Sequence, residues 1–144
     1  VLVIPGSYNI DITNCTIIGP NNVGLKTFDV NHLNFTDSEI TACTALIFDL
    51  EKSRNITFAN STLSDNNLQI SVMGGFTNKT KEVEFIDCLF ENNIPKMAGN
   101  PAFNFFENAE DTLNPIIFTN CNFKKCEGFK WYYEKIKLVD CTME

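Results

Sequence analysis

The sequence predicts an all-β fold in which one chain of 144 residues winds into a parallel β-helix, a solenoid of about six coils. Two observations predict it: an eight-residue pattern occurs six times, and apolar residues alternate within every copy. The pattern reads apolar, any, apolar, any, Asn or Asp, Cys or Ser, any, apolar. Alternation is the period of a β-strand, and copies that start 20 to 33 residues apart do not keep one helical period. The copies are Ile10–Ile17, Leu33–Ile40, Ile56–Leu63, Val83–Phe90, Ile116–Phe123 and Ile136–Met143.

A second run of alternating apolar residues precedes most copies of the pattern. Each repeat therefore supplies one strand, a turn, the inward apolar pair of the pattern, a tight corner at Asn or Asp, and a short third strand. Three short strands in 20 or more residues are what one coil of a parallel β-helix requires. The runs are Phe28 and Val30; Leu46, Phe48 and Leu50; Leu68, Ile70 and Val72; Phe103 and Phe105; and Phe129, Trp131 and Tyr133.

The repeat resembles the right-handed parallel β-helix of the pectate-lyase-like superfamily. The trailing motifs Phe90-x-x-Asn93 and Leu63-x-x-Asn66 are similar to repeats of polymorphic outer-membrane proteins and other surface β-helices. The resemblance covers nearly the whole chain, so residues 1–144 are expected to form one β-helix domain. It implies the fold and leaves the activity open.

Stacking the six copies places like residues above one another, with successive coils about 4.8 Å apart. The second apolar position of the pattern then predicts a column of rings inside the coil, where neighbouring aromatic side chains can stack. A single coil cannot bury its own apolar face, so each coil depends on its neighbours. This column holds Phe35, Phe58, Phe85 and Phe118 between Ile12 and Leu138.

The Asn or Asp position is expected at a tight corner, because these residues tolerate the left-handed backbone region at least cost after glycine. Their side chains are expected to hydrogen-bond the corner of the neighbouring coil and so form a ladder. Calcium binding by the Asp members is the alternative, but they stand in alternate coils, nearly 10 Å apart, too far to share one ion. We call this set the corner column: Asn14, Asp37, Asn60, Asp87, Asn120 and Asp140.

The next position carries small side chains that fill the space just past the corner. Free cysteine behaves as a small buried hydrophobe, so buried thiols are expected here. A disulfide between Cys121 and Cys141 is the alternative, although parallel side chains in stacked coils suit that bond badly. This set is the thiol column: Cys15, Ser38, Ser61, Cys88, Cys121 and Cys141. Cys43 and Cys126 share a further column but stand in coils two and five, so they are not expected to pair.

Charge and composition exclude several classes of partner. The net charge is −7 with Arg54 as the single arginine, so neither nucleic acid nor an anionic membrane is an expected partner. The sequence contains no run of 18 apolar residues, the length that a membrane-spanning helix needs. With one histidine, His32, and no Cys-x-x-Cys, a zinc site is not expected. No cofactor is predicted.

Six cysteines and five Asn-x-Ser/Thr sequons favour an extracellular or cell-surface protein that carries glycans. Glycan attachment is predicted first at Asn78, in a loop, and next at Asn34 and Asn55, which should point outward. Asn14 and Asn60 are predicted to stay unmodified, because the ladder would occupy their side chains.

Two stretches between strands, 73–82 and 107–115, are candidate loops at the same corner of consecutive coils. Loops on a rigid scaffold often bind ligands, so these two could form one patch; a tolerated insertion without a role is the alternative. The clustered carboxylates and basic partner that polysaccharide lyases and hydrolases need are not evident, and no catalytic residue is predicted.

The favoured interpretation is a non-catalytic segment of a surface protein that acts as a rigid spacer or adhesive unit. The chain begins within a strand and stops within a coil, so further β-helix coils of the same or another chain are expected to stack end to end with it. The alternative is a polysaccharide-binding or polysaccharide-cleaving module whose catalytic residues lie outside this segment.

Overall fold

The computed structural model describes residues 5–19, 23–68, 74–77, 80–95, 103–105, 115–126, 129–131 and 136–144. Within these ranges all regular structure is β-strand, and every strand pair is parallel. Parallel neighbours that follow one another along the chain require a crossover each time, which a coil supplies. The chain is therefore the predicted parallel β-helix.

Two sheets run the length of the solenoid, and each contains one strand from every copy of the pattern. Sheet 1 consists of Tyr8–Thr13, Asn31–Thr36, Arg54–Ala59, Lys81–Ile86, Ile116–Thr119 and Ile136–Val139. Sheet 2 consists of Thr16–Ile18, Glu39–Thr41, Thr62–Ser64, Leu89–Glu91, Asn122–Lys124 and Thr142–Met143. The chain thus passes each of these two faces six times.

The remaining strands close the coils on the other side. Sheet 3 contains Leu25–Phe28, Phe48–Glu51 and Gly74–Thr77. Two further pairs join Asn67–Leu68 with Ile94–Pro95, and Phe103–Phe105 with Phe129–Trp131.

The register places like residues of the pattern directly against one another. Phe35 is the partner of Phe58, Phe58 of Phe85, and Phe85 of Phe118. All four side chains are fully buried. The rings of Phe58 and Phe85 are stacked at 4.8 Å and those of Phe85 and Phe118 at 4.7 Å, whereas Phe35 is tilted by 48° to Phe58. The interior is therefore a continuous column of rings.

Sheet 3 adds a correction to the predicted strands. Its third strand is Gly74–Thr77, in register with Phe48–Glu51, whereas Leu68 of the predicted run belongs to the strand Asn67–Leu68 and Ile70 and Val72 lie outside the described residues. Six residues of the predicted loop 73–82 therefore lie in strands, four in Gly74–Thr77 and two at the start of Lys81–Ile86. The loop 107–115 lies outside the described residues apart from Pro115, so its part in a binding patch stays a prediction.

Phe28 also departs from its predicted inward position. Leu25 and Thr27 are the buried residues of its strand, and Phe28 is half-buried on the outside. The Nζ atom of Lys52 lies 4.7 Å from the centre of its ring. Val30 is nevertheless buried, because Asp29 has a φ of +53° and turns the chain between the two residues.

Candidate functional site

The corner column has the predicted backbone in all six coils, with φ between +49° and +55°. In this region an L-residue other than Asn, Asp or Gly is disfavoured by its Cβ atom. The backbone N–H of each corner residue from Asn14 to Asn120 donates to the coil that follows, as from Asn60 to the Ile86 carbonyl at 3.0 Å and from Asp87 to the Thr119 carbonyl at 3.0 Å. The corner is therefore held by the main chain.

The predicted side-chain ladder is wrong for most of this column. Asn120 donates its amide to the Asp87 carboxylate, which is one step of a ladder. Among the described residues, the side chains of Asn14, Asp37 and Asn60 make no hydrogen bond to one another, and all three are exposed. The physical reason is that water satisfies a polar side chain at an exposed corner, so no neighbour is required.

The thiol column lies just inside the corner, and its members share one hydrogen-bond geometry. Ser61 Oγ lies 2.7 Å from the Ala59 carbonyl and 3.4 Å from the Phe35 carbonyl of the preceding coil. The thiols of Cys88, Cys121 and Cys141 face the equivalent pairs of carbonyls at 3.4 Å. The hydroxyls of Ser38 and Ser61 also accept the backbone N–H of the preceding coil at 3.0 and 3.2 Å, and a thiol can replace a hydroxyl here because each has one hydrogen to donate and lone pairs to accept with.

All six cysteines are free thiols. Cys15 is exposed, whereas Cys43, Cys88 and Cys121 are buried. Burial raises the pKa of Cys43 to about 11 and also raises that of Cys126 and Cys141. The hydrogen bond with the Cys88 thiol, together with burial, raises the pKa of Cys121. A thiol that stays protonated is a poor nucleophile, so Cys43 and Cys126 are suited to packing, whereas the hydrogen bond with Cys121 lowers the pKa of Cys88.

Stability is expected to fall between about pH 9 and pH 11 because of Cys43. The unfolded thiol ionises near its ordinary pKa of 9.0, while the folded one stays neutral up to about 11. The stability is therefore fully present below pH 9 and is lost as the pH rises towards 11, by about 3 kcal/mol. Urea unfolding at pH 7.5, 9.0 and 10.5 measures it, with Cys43→Ala as the control. Equal pH slopes in the two proteins would contradict the assignment.

A side-chain ladder does exist, but in a column that sequence reasoning did not assign. Asn66 and Asn93 are buried, and the Asn66 amide donates to the Asn93 Oδ1 atom at 2.8 Å. Asn66 Oδ1 accepts the Cys43 backbone N–H at 2.8 Å, and Asn93 donates to the Leu63 carbonyl at 2.8 Å and towards the Cys126 thiol at 3.8 Å. We call this set the amide column: Cys43, Asn66, Asn93 and Cys126. The trailing Phe-x-x-Asn motif was the signal that could have located it.

The corner of the first three coils borders an open depression of about 630 Å³. Its lining is polar, with two carboxylates, two amides and several hydroxyls on a surface that stays exposed to solvent. Such a set can hydrogen-bond a polar ligand such as a sugar. The lining residues are Asn14, Cys15, Thr16, Asp37, Ser38, Glu39, Asn60 and Thr62.

The described part of the chain shows few features of a metal site, a basic binding site or a membrane span. No three side chains of His, Cys, Asp or Glu within it gather as a metal site would require. His32 is exposed, with a φ of +62°, and Arg54 is exposed on sheet 1. The described ranges contain no helix with the length and apolar character of a membrane span.

The sequons have the expected environments only in part: Asn34 is exposed, as predicted, whereas Asn55 is half-buried. The Asn34 amide donates to Asp11 at 2.8 Å, and the half-buried Asn55 donates its amide to Asn31 at 2.8 Å. The reason for expecting Asn14 and Asn60 to stay unmodified is wrong, because no ladder occupies their side chains. Asn78 lies outside the described residues and stays a prediction.

Comparison with known proteins agrees with this architecture. A family described as "right handed beta helix region" matches residues 1–144. Neither a search of curated proteins nor a search of solved structures finds a match to the chain. The family fixes the hand of the coil, which parallel pairing alone leaves open. The chain therefore belongs to the right-handed β-helix family.

Proposed function

We propose that the chain is a non-catalytic structural or adhesive segment of an extracellular or cell-surface protein, in which it serves as a rigid spacer or assembly unit. The observation that carries the proposal is the register of sheets 1 and 2, which continues through six strands without a break. Each coil is fixed to the next by backbone hydrogen bonds in two sheets and by the stacked interior rings. A solenoid of this kind resists bending because a bend would have to stretch hydrogen bonds between coils in at least one of the two continuous sheets.

Further coils of the same or another chain are the proposed partners of this segment. Tyr8–Thr13 and Ile136–Val139 form the outer strands of sheet 1. Exposed apolar side chains lie on the outer strands of both sheets: Tyr8 at 73%, Ile18 at 65% and Met143 at 51%. Among the described strands these outer ones have a neighbour on one side only, and a strand edge with apolar residues is a surface on which another strand can stack.

The free cysteines are compatible with an oxidising environment outside the cell. Disulfides are common there, but they require accessible and reactive thiolates. Burial and a raised pKa protect Cys43, Cys126 and Cys141 from that reaction.

Removal of one whole coil from the full-length protein tests the spacer role. Deleting residues 33–55 removes the 23 residues of one coil. The strand of the third copy of the pattern can then pair with that of the first in the register that the second copy had. A spacer should then fold, reach the cell surface and be shorter by about 4.8 Å, as measured by surface biotinylation and X-ray scattering. Deleting residues 33–44 is the control, because it destroys the register. Loss of folding or of surface display in the 33–55 deletion would contradict the proposal.

Polysaccharide binding is the second candidate function, and the open depression is the observation that favours it. Asp37 and Glu39 stand together in its lining with Asn14 and Asn60 on either side. A glycan array and a lyase assay on the full-length protein test this candidate, with Asp37→Asn and Glu39→Gln as variants. Binding that these variants abolish would favour the module over the spacer.

A further inference from the structure

We propose that Asn14 and Asn60 are the asparagines of the described region that carry N-linked oligosaccharide in the folded protein. Both begin a sequon, Asn14-Cys15-Thr16 and Asn60-Ser61-Thr62. The inference rests on the proposed extracellular location, because the transfer takes place in the secretory pathway. It reverses the order that the sequence alone suggests.

The first argument is the freedom of the two amides. Asn14 and Asn60 are exposed, and within the described residues neither side-chain amide is engaged in a hydrogen bond. The amides of Asn34 and Asn55 instead bridge neighbouring coils at 2.8 Å. A sugar on either of those would replace one of the two Nδ2 hydrogens of an amide that already bridges two coils, whereas a sugar on Asn14 or Asn60 displaces only water.

The second argument is space. Asn14 and Asn60 lie at corners with φ of +55° and +49°, where the chain turns between sheets 1 and 2. Both line the open depression of about 630 Å³, which gives room for the first sugar residues. Asn34 and Asn55 lie inside strands of sheet 1, between neighbouring strands about 4.8 Å away.

The transfer itself is a substitution at the anomeric carbon of the donor. The Asn Nδ2 atom forms a bond to C1 of the reducing-end N-acetylhexosamine of a polyprenyl-diphosphate-linked oligosaccharide. The C1–O bond breaks, the polyprenyl diphosphate leaves with the electron pair, and the proton of Nδ2 passes to a base. The transferase acts on the unfolded chain, so the fold then selects which modified chains reach the native state.

The corner column offers variants that keep the backbone intact. Asp occupies the same corner in three other coils, so Asn14→Asp and Asn60→Asp should fold as the parent does. The substitution Asp140→Asn creates the tripeptide Asn-Cys-Thr at an exposed corner with a φ of +52°, which repeats the setting of Asn14. Asn34→Asp and Asn55→Asp are the matched controls on sheet 1.

Each chain is fused to a supplied secretion leader and produced in a eukaryotic host, and the intact mass of the folded protein is measured before and after peptide N-glycosidase. We expect Asn14→Asp and Asn60→Asp each to remove one glycan mass, Asp140→Asn to add one, and the two controls to remove none. Unchanged masses in the first three variants, or a loss in either control, would overturn the inference. Because the leader imposes secretion, the result is independent of where the native protein resides, which surface biotinylation of the native cells tests separately.

Discussion

Replacing Phe85 by alanine is expected to lower the free energy of unfolding by about 3–5 kcal/mol, the range for deleting a buried aromatic side chain. Phe85 is fully buried and stacks between Phe58 at 4.8 Å and Phe118 at 4.7 Å. Its ring also lies 5.8 Å from Phe48 and 5.6 Å from Phe90. Removal would therefore interrupt the column in the middle and take one ring neighbour from each of Phe48, Phe58, Phe90 and Phe118.

Guanidinium unfolding followed by circular dichroism measures this loss. Phe28→Ala is the matched control, because Phe28 is half-buried outside the column and contacts Lys52. Its loss should cost about 1–2 kcal/mol from partial burial and one cation–π contact. If the Phe85→Ala protein does not fold, Phe85→Leu should still cost more than Phe28→Leu. Equal losses at Phe28 and Phe85 would contradict the column as the main source of stability.

The sequence alone was sufficient to predict the strands of sheets 1 and 2 and their inward-facing residues. Alternation in the pattern fixes which residues face inward, and a shift of one residue would expose every one of them. The partners Phe58 and Phe85 could thus be named before any coordinates. The same reasoning was wrong at Phe28, because Asp29 has a left-handed φ and resets the alternation before Val30.

Many left-handed corners could not be predicted. Ala42, Lys52 and Lys125 have φ of +57°, +51° and +48°, although these residue types do not favour that region. Their conformation follows from the path that a coil must take to return above the one before it. At such positions the stacking of coils outweighs the backbone preference of the residue. The residue type alone therefore does not predict the left-handed conformation.

The ladder was predicted in the wrong column because the sequence shows which residue types recur and does not show how deeply they are buried. An exposed amide is satisfied by water, so Asn60 needs no neighbour. A buried amide must find a protein partner, and Asn66 and Asn93 find each other at 2.8 Å. Burial makes such a partner necessary at Asn66 and Asn93, whereas at an exposed corner of the described coils the bond forms in one coil pair, Asn120 with Asp87, and is absent between Asn14, Asp37 and Asn60.

Replacing Asn66 by aspartate is expected to lower the free energy of unfolding by about 3–5 kcal/mol at pH 7, as for an uncompensated buried charge. The change keeps the shape but replaces the amide N–H group that faces Asn93 Oδ1 with an oxygen. Asn66 is 1% exposed, so water cannot compensate. Burial would raise the pKa of the new carboxyl, so the difference from the parent protein should shrink as the pH falls towards 4.

The neighbouring substitution Asn67→Asp adds the same charge one residue away, at an exposed position. It should change the free energy of unfolding by less than about 0.5 kcal/mol, as surface substitutions usually do. Urea titrations of both variants at pH 7.0 and pH 4.5 separate burial from net charge. A gap between the two variants that stays constant with pH would show that the carboxyl is not buried. The amide column would then contribute no more to the free energy of unfolding than the exposed corner residues do.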